Sequence, residues 1–343
     1  MKNLSRVAAA LAAAACVAAG QLHSASPATN LLSRITVKNP TGYGNLTLFP
    51  LVGPSSGSAG YRLLDEAIRS GQVKVQEKDG GEVNTVRMRN TGKTYVFGMA
   101  GEIVSGAKQD RMLQDDVLLP PGSVWLDVPV FCTEHGRWTG SSLNFGTKGY
   151  VASGQVRERA AQTRSQQEVW DAVDAAHEQL GVATPSRAFA KVYEDKGAQE
   201  QAQPYIDKLN DLPALFPGAI GIAVAVGGKI ICVDAFVSSE LFRKMWPKLL
   251  RSYVIDAMQT QPHGKLSARQ VQQFIRSAAG AEVTAQPTAG AGTLQRLSAP
   301  SASGSALVFK KAVVHLDLFP DANPETDDAP APRLDLRRQR TLN

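Results

Sequence analysis

The chain has 343 residues and a formal net charge of +6, with 43% hydrophobic residues. That hydrophobic content excludes a wholly disordered chain, and the length suffices for one large domain with a real core. The positive excess is modest and partly carried by the tail residues Arg333, Arg337, Arg338 and Arg340. No Lys/Arg run marks the body of the chain, so nucleic acid is not an expected partner.

Residues 1–20 read as a signal peptide. Lys2 and Arg6 precede the uncharged, Ala-rich run Val7–Ala19, which is too short to anchor in a bilayer. An exported, periplasmic location follows. Lipidation through Cys16 is the less favoured variant, because Ala13-Ala14-Ala15 lacks the usual large aliphatic residue. No later segment has the length and apolarity of a transmembrane helix. Residues 21–33 read as a loose leader, 34–320 as a single domain and 321–343 as a disordered tail.

Short strands open the domain. Arg34–Val37 and Asn45–Phe49 are separated by Pro40, Gly42 and Gly44. Leu63–Ser70 has helical apolar spacing and stops at Gly71. Strands follow at Val73–Gln76, Val83–Arg89, Thr94–Met99 and Val124–Phe131, with a turn about every ten residues, which describes a compact antiparallel module. Gly140–Gly154 reads as a long loop. Gln155–Leu180 is helical, and Ser165 with Glu168 forms a capping box that restarts it. Short helices are expected at Ser186–Asp195 and Pro204–Leu212.

Ile220–Val226 and Ile230–Phe236 flank Gly227-Gly228 and form a hairpin, apolar at nearly every position and so buried on both faces. Ser238 and Ser239 cap a helix running to about Met258, which Pro247 is expected to kink or divide. Gln261–Pro300 reads as a short helix (Ser267–Ser277) within loop, and Ala306–Leu318 closes as strands. The fold class is α+β: an antiparallel β-rich core with a helical insertion and a β-hairpin plus helix layer.

Several motifs resemble one family. They are Thr47-Leu48-Phe49-Pro50-Leu51, the Leu64-Asp65-Glu66-Ala67 helix, Gly101-Glu102 with Lys108-Gln109-Asp110-Arg111, and Cys132-Thr133-Glu134-His135-Gly136-Arg137-Trp138. Trp246-Pro247-Lys248-Leu249-Leu250 and His315-Leu316 add to them. Together they resemble the ARG and rhodanese-phosphatase-superfamily-associated protein domain family, across roughly Leu46 to Pro320. The family's associations imply a link to ADP-ribose or nucleotide chemistry.

Two polar clusters carry the candidate chemistry. Lys108, Gln109, Arg111, Arg137 and Trp138 would bind an anionic or sugar/nucleotide-like ligand, with Arg gripping the anion in a fork and Trp forming a wall for a ring. In a hydrolase of ADP-ribose-like or phosphorylated compounds, Glu102 or Glu134 would be the catalytic acid/base. The structural alternative makes Glu102–Arg111 and Glu134–Arg137 ion pairs that clamp hairpin ends, in an envelope protein with no ligand; an envelope protein partner is a further possibility. No metal site and no cofactor is expected. Asp115-Asp116 reads as a solvated turn, and His135 as a solvated loop residue. Cys132 and Cys232 read as two buried thiols or, in an oxidising compartment, a disulfide. Trp246, Leu249, Leu250 and Tyr253 read as core.

Overall fold

The computed structural model describes residues 26–56, 60–78, 82–136, 142–261 and 264–321. The expected signal peptide, residues 21–25 of the expected leader and residues 322–343 lie outside them.

The chain enters through helix α1 (Pro27–Arg34), strands β1 (Thr36–Val37), β2 (Thr41–Tyr43), β3 (Leu46–Val52) and β4 (Arg62–Leu63), and helix α2 (Leu64–Arg69). The leader expected to be loose over 21–33 is therefore helical from Pro27. Ser26 caps α1 by accepting from the Thr29 N–H at 3.1 Å, and Ala28, Leu31 and Leu32 are buried. Those three side chains bury too much apolar surface to be left in water.

Six strands then close a small barrel: β5 (Val73–Glu77), β6 (Thr85–Asn90), β8 (Glu102–Gly106), β9 (Arg111–Leu113), β11 (Leu126–Cys132) and β12 (Asn144–Val151). β7 (Val96–Gly98) pairs with β10 (Val117–Leu119) and, in parallel, with β4. Alternate residues such as Val73, Val75, Val86, Met88, Val104 and Leu113 fill the barrel interior. β12 corrects the sequence reading of Gly140–Gly154 as loop. Its glycines serve a strand that is bulged between Thr147 and Val151, and Gly149 takes a left-handed φ of +74°. A bulge breaks the period-two pattern on which strand recognition depends.

A helical insertion follows: α3 (Gly154–Thr163), α4 (Gln166–Leu180), α5 (Ala190–Glu194), α6 (Lys196–Leu209) and α7 (Leu212–Leu215). The break between α3 and α4 falls where expected, with Ser165 accepting from the Glu168 N–H. Next come β13 (Gly221–Val226) and β14 (Lys229–Phe236), then α8 (Ser239–Gln259), α9 (Ala268–Ala278), β15 (Glu282–Pro287), β16 (Thr293–Ala299), β17 (Ala302–Phe309) and β18 (Ala312–Pro320). The hairpin turns on Gly227 and Gly228, both at positive φ. α8 runs unbroken through Pro247. Pro247 and Arg243, whose carbonyl the missing N–H would have used, both face solvent, where water satisfies it. β15 and β16 replace the loop expected within 261–300. β15 is a polar edge strand with no apolar alternation to reveal it.

β13 to β18 join β1, β2 and β3 in a nine-stranded sheet of order β1-β3-β13-β14-β18-β17-β16-β15, with β2 on β3. One face packs on α8 through Ile222, Val224, Trp246, Leu249 and Tyr253. The other face, with Phe49, Ala223, Val233 and Leu316, is covered by α1 and α9. Burial on both faces is what the continuous apolar run of β13 requires. A fourth core, including Met112, Phe131, Val156 and Val173, joins the barrel to α3 and α4.

Candidate functional site

The two motif clusters do not form one site. Glu102 opens β8 and turns toward α8, where Lys248 Nζ stands 2.6 Å from Glu102 Oε1 and 2.9 Å from Asp65 Oδ1. Glu102 Oε2 accepts from the Met99 N–H, and Arg69 binds the far side of Asp65. All three charged partners of this bridge are nearly sealed from solvent. Burial pushes the Glu102 carboxyl up, with Lys248 opposing. In Asp65 burial acts upward too, but Lys248 and Arg69 outweigh it and hold the carboxyl below its usual range.

The other motif residues gather at the opposite end of β8. Gly106 and Ala107 reverse the chain at φ values of +121° and +46°. Beyond that turn, the Lys108 N–H donates to Glu77 Oε1 at 3.2 Å and the Asp110 N–H to Glu134 Oε2 at 3.0 Å. Arg111 stands opposite Val104 in the ladder and points into the barrel. Its Nη1 donates to the Gln109 carbonyl at 3.3 Å and to Gln109 Oε1 at 3.2 Å. Glu77 Oε1 is 3.7 Å from Nη2, close enough to attract and too far for a hydrogen bond. Among the described residues Arg111 Nε and Nη2, Glu77 Oε2 and Thr133 Oγ1 are buried without a hydrogen-bond partner. The same end holds Cys132, whose thiol burial raises to about 11; Arg111 opposes this, while Glu77 and Glu134 add to it.

Gln109, Arg111 and Glu134 are thus brought together, with Lys108 half-exposed at the rim, and Glu102 is sent elsewhere. Glu102 and Arg111 are not an ion pair: Lys248 and Glu77 are their partners. Arg137 and Trp138 lie outside the described residues. His135 is exposed, as expected, with its ring edge-on to Trp170 at 4.0 Å. Both cysteines are free and buried. Among the described residues no group of three His, Cys, Asp or Glu side chains could hold a metal ion. No helix of those residues is long and apolar enough to cross a membrane.

Sequence reasoning missed a third cluster, where the barrel meets the large sheet. Arg157 on α3 forms a two-pronged pair with Asp234 on β14, at 3.0 and 2.5 Å. Tyr253 on α8 donates to Asp234 at 2.5 Å. His315 on β18 contacts Asp234 Oδ1 through Nε2 at 3.2 Å and Asp116 Oδ2 through Nδ1 at 2.8 Å. Both ring nitrogens face carboxylates, so the imidazole is charged. Burial opposes that charge, but Asp116 and Asp234 outweigh it and raise the histidine to about 10. Asp116, expected in a solvated turn, is buried, with its other oxygen held by the Ala100 N–H. A lone Asp and a lone His in separate segments carry no local signal of this pairing.

Gly101 is the hinge of the arrangement. Its φ is +91°, and a Cβ there would stand 2.7 Å from Arg157 Cγ. The glycine lets the Arg157 stem pass over the β8 entry to reach Asp234.

The architecture defines an α+β domain in which a six-stranded barrel and a nine-stranded sheet share a helical layer. The profile of the ARG and Rhodanese-Phosphatase-superfamily-associated Protein domain matches residues 34–319, and the chain belongs to that family. No curated protein and no solved structure matches it.

Proposed function

We propose that the domain binds a small anion-bearing ligand at the barrel end, with Arg111 as anchor and Lys108, Gln109 and Glu134 around it. The observation that carries this reading is the buried Arg111 guanidinium. Two of its nitrogens meet no acceptor among the described residues. A guanidinium removed from water loses its hydration and needs acceptors in exchange, and a phosphate or carboxylate presents them in matching geometry. Arg137 and Trp138 follow Glu134 closely in the chain and remain sequence-based members of the set. Export to the periplasm is part of the same proposal. It rests on the leader over residues 1–20, and cell fractionation tests it.

In the hydrolase alternative only Glu134 stands near the anion anchor to act as acid or base, because Glu102 is bound to Lys248 at the other end of β8. A bracing role is favoured for that carboxylate by its complete set of partners. A thermal-shift titration with inorganic phosphate and ADP-ribose decides the matter, because a ligand of the native state raises Tm by mass action. Wild type should respond to at least one anion, and Gln109→Ala and Arg111→Lys should lose the response. Unchanged responses in both variants, or none in wild type, would sink the proposal.

A further inference from the structure

A separate pocket of about 300 Å³ opens between β12, α5, α6 and α8. That volume lies at the lower end of the range in which proteins hold small ligands. Its wall carries the stacked pair Tyr150 and Tyr193, with ring centroids 4.4 Å apart. Tyr193 is fixed: its hydroxyl donates to the Val151 carbonyl at 2.6 Å, and its ring meets Phe189 edge-on. Val192, Ile206 and Ile255 supply an apolar lining.

The polar groups around the pocket are oriented and incompletely used. Gln199 Nε2 donates to the Tyr193 carbonyl at 2.8 Å and Gln203 Nε2 to Asp207 Oδ1 at 2.6 Å. Each bond fixes an amide and leaves its Oε1 as an acceptor for a ligand hydroxyl. Arg251 also lines the pocket. Among the described residues it has neither an ion pair nor a hydrogen bond. Four carboxylates on the surrounding elements are already engaged, Glu194 by Lys148 and Lys191, Asp195 by the Ala198 N–H, Asp207 by Gln203, and Asp256 by the Gly154 and Gln155 N–H groups, while Glu200 on α6 is exposed to solvent. The Arg251 charge is left to act on whatever enters.

We propose that this pocket is a second binding site, for an anionic monosaccharide in which a phosphate or carboxylate meets Arg251. The ring hydroxyls donate to Gln199 and Gln203, and the apolar ring face lies against the aromatic and aliphatic wall. A forked guanidinium suits either anion, and the paired amide oxygens select for a ring that bears hydroxyls. The site is independent of the barrel end, since none of its residues belongs to that cluster.

Calorimetric titration of the mature protein with glucose 6-phosphate, glucuronate, glucose and inorganic phosphate tests this. Saturable binding of one of the two charged sugars is expected, with glucose and inorganic phosphate each weaker by roughly tenfold or more. Which charged sugar binds distinguishes phosphate from carboxylate recognition. Arg251 is exposed, so Arg251→Gln should keep the wild-type Tm and weaken the charged sugar by roughly tenfold. Gln109→Ala should leave that affinity unchanged. The proposal is overturned if neither charged sugar binds, if inorganic phosphate binds as tightly as the sugar, or if Arg251→Gln retains wild-type affinity. Binding lost in Gln109→Ala and kept in Arg251→Gln would also overturn it, assigning the ligand to the barrel end.

Discussion

Removing the charge of His315 should expose how the barrel is fastened to the sheet. His315→Leu leaves Asp116 and Asp234 facing each other across an apolar gap, and only Asp234 keeps other strong partners, Arg157 and Tyr253. Breaking a buried ion pair by deleting one member costs about 3–5 kcal/mol. At about 2–4 °C per kcal/mol for a domain of this size class, Tm should fall by roughly 6–20 °C. The pH dependence gives a sharper test. The folded histidine titrates near 10 and the unfolded one near 6.5. Its stabilisation is therefore complete below pH 6.5 and is lost as pH rises through 10. Between pH 7 and 9 the native state holds one more proton than the unfolded chain, so stability should drop by about 1.4 kcal/mol per pH unit from this group. Urea unfolding followed by tryptophan fluorescence at pH 7, 8 and 9 measures this slope. His315→Leu should lose that component, and its deficit should shrink as pH rises. A deficit that stays constant across the three pH values would refute a charged His315.

Gly101→Ala should lower stability by about 1–3 kcal/mol, because the left-handed backbone is strained for alanine and the new methyl meets the Arg157 stem. A drop below 0.5 kcal/mol in the same unfolding assay, taken as roughly the noise of a surface substitution, would show that Arg157 yields easily. Lys248→Met should cost about 3–5 kcal/mol by leaving Glu102 buried without its cation and Asp65 with Arg69 alone, and Glu102→Gln added to it should recover part of the loss. Absence of any recovery would mean that Lys248 acts through packing. Cys132 and Cys232 should resist a thiol reagent at pH 8 in the folded protein and react on unfolding, since both are buried and burial raises both thiols, Cys132 to about 11. Rapid labelling of either in the native state would contradict that burial.

Several elements could be read locally because their signals are local. Ser165, Ser238 and Ser267 each cap the helix expected to start beside them. Gly227-Gly228 marks its own turn, and the apolar runs around it can only lie in a covered sheet. Trp246, Leu249, Leu250 and Tyr253 recur at helical spacing and are buried on one face of α8. Tyr253 also shows the limit of such patterns, because its hydroxyl serves Asp234. The polar motifs were legible as chemistry but not as geometry. Glu102 and Arg111 are close in sequence, yet β8 points them to opposite ends of the barrel.

The sequence by itself determined the α+β class, the capped helices, the central hairpin and the concentration of polar residues between Gly101 and Glu134. These follow from periodicity, capping and turn chemistry, each set within a few residues. Tertiary structure alone decided the partners. His315 meets Asp116 across 199 positions and Asp234 across 81. Lys248 reaches Glu102 across 146. It also decided that a glycine-rich stretch would close the barrel as β12. Such pairings depend on strand register and on which buried charge lacks a partner, and both are fixed only when distant segments are packed against each other.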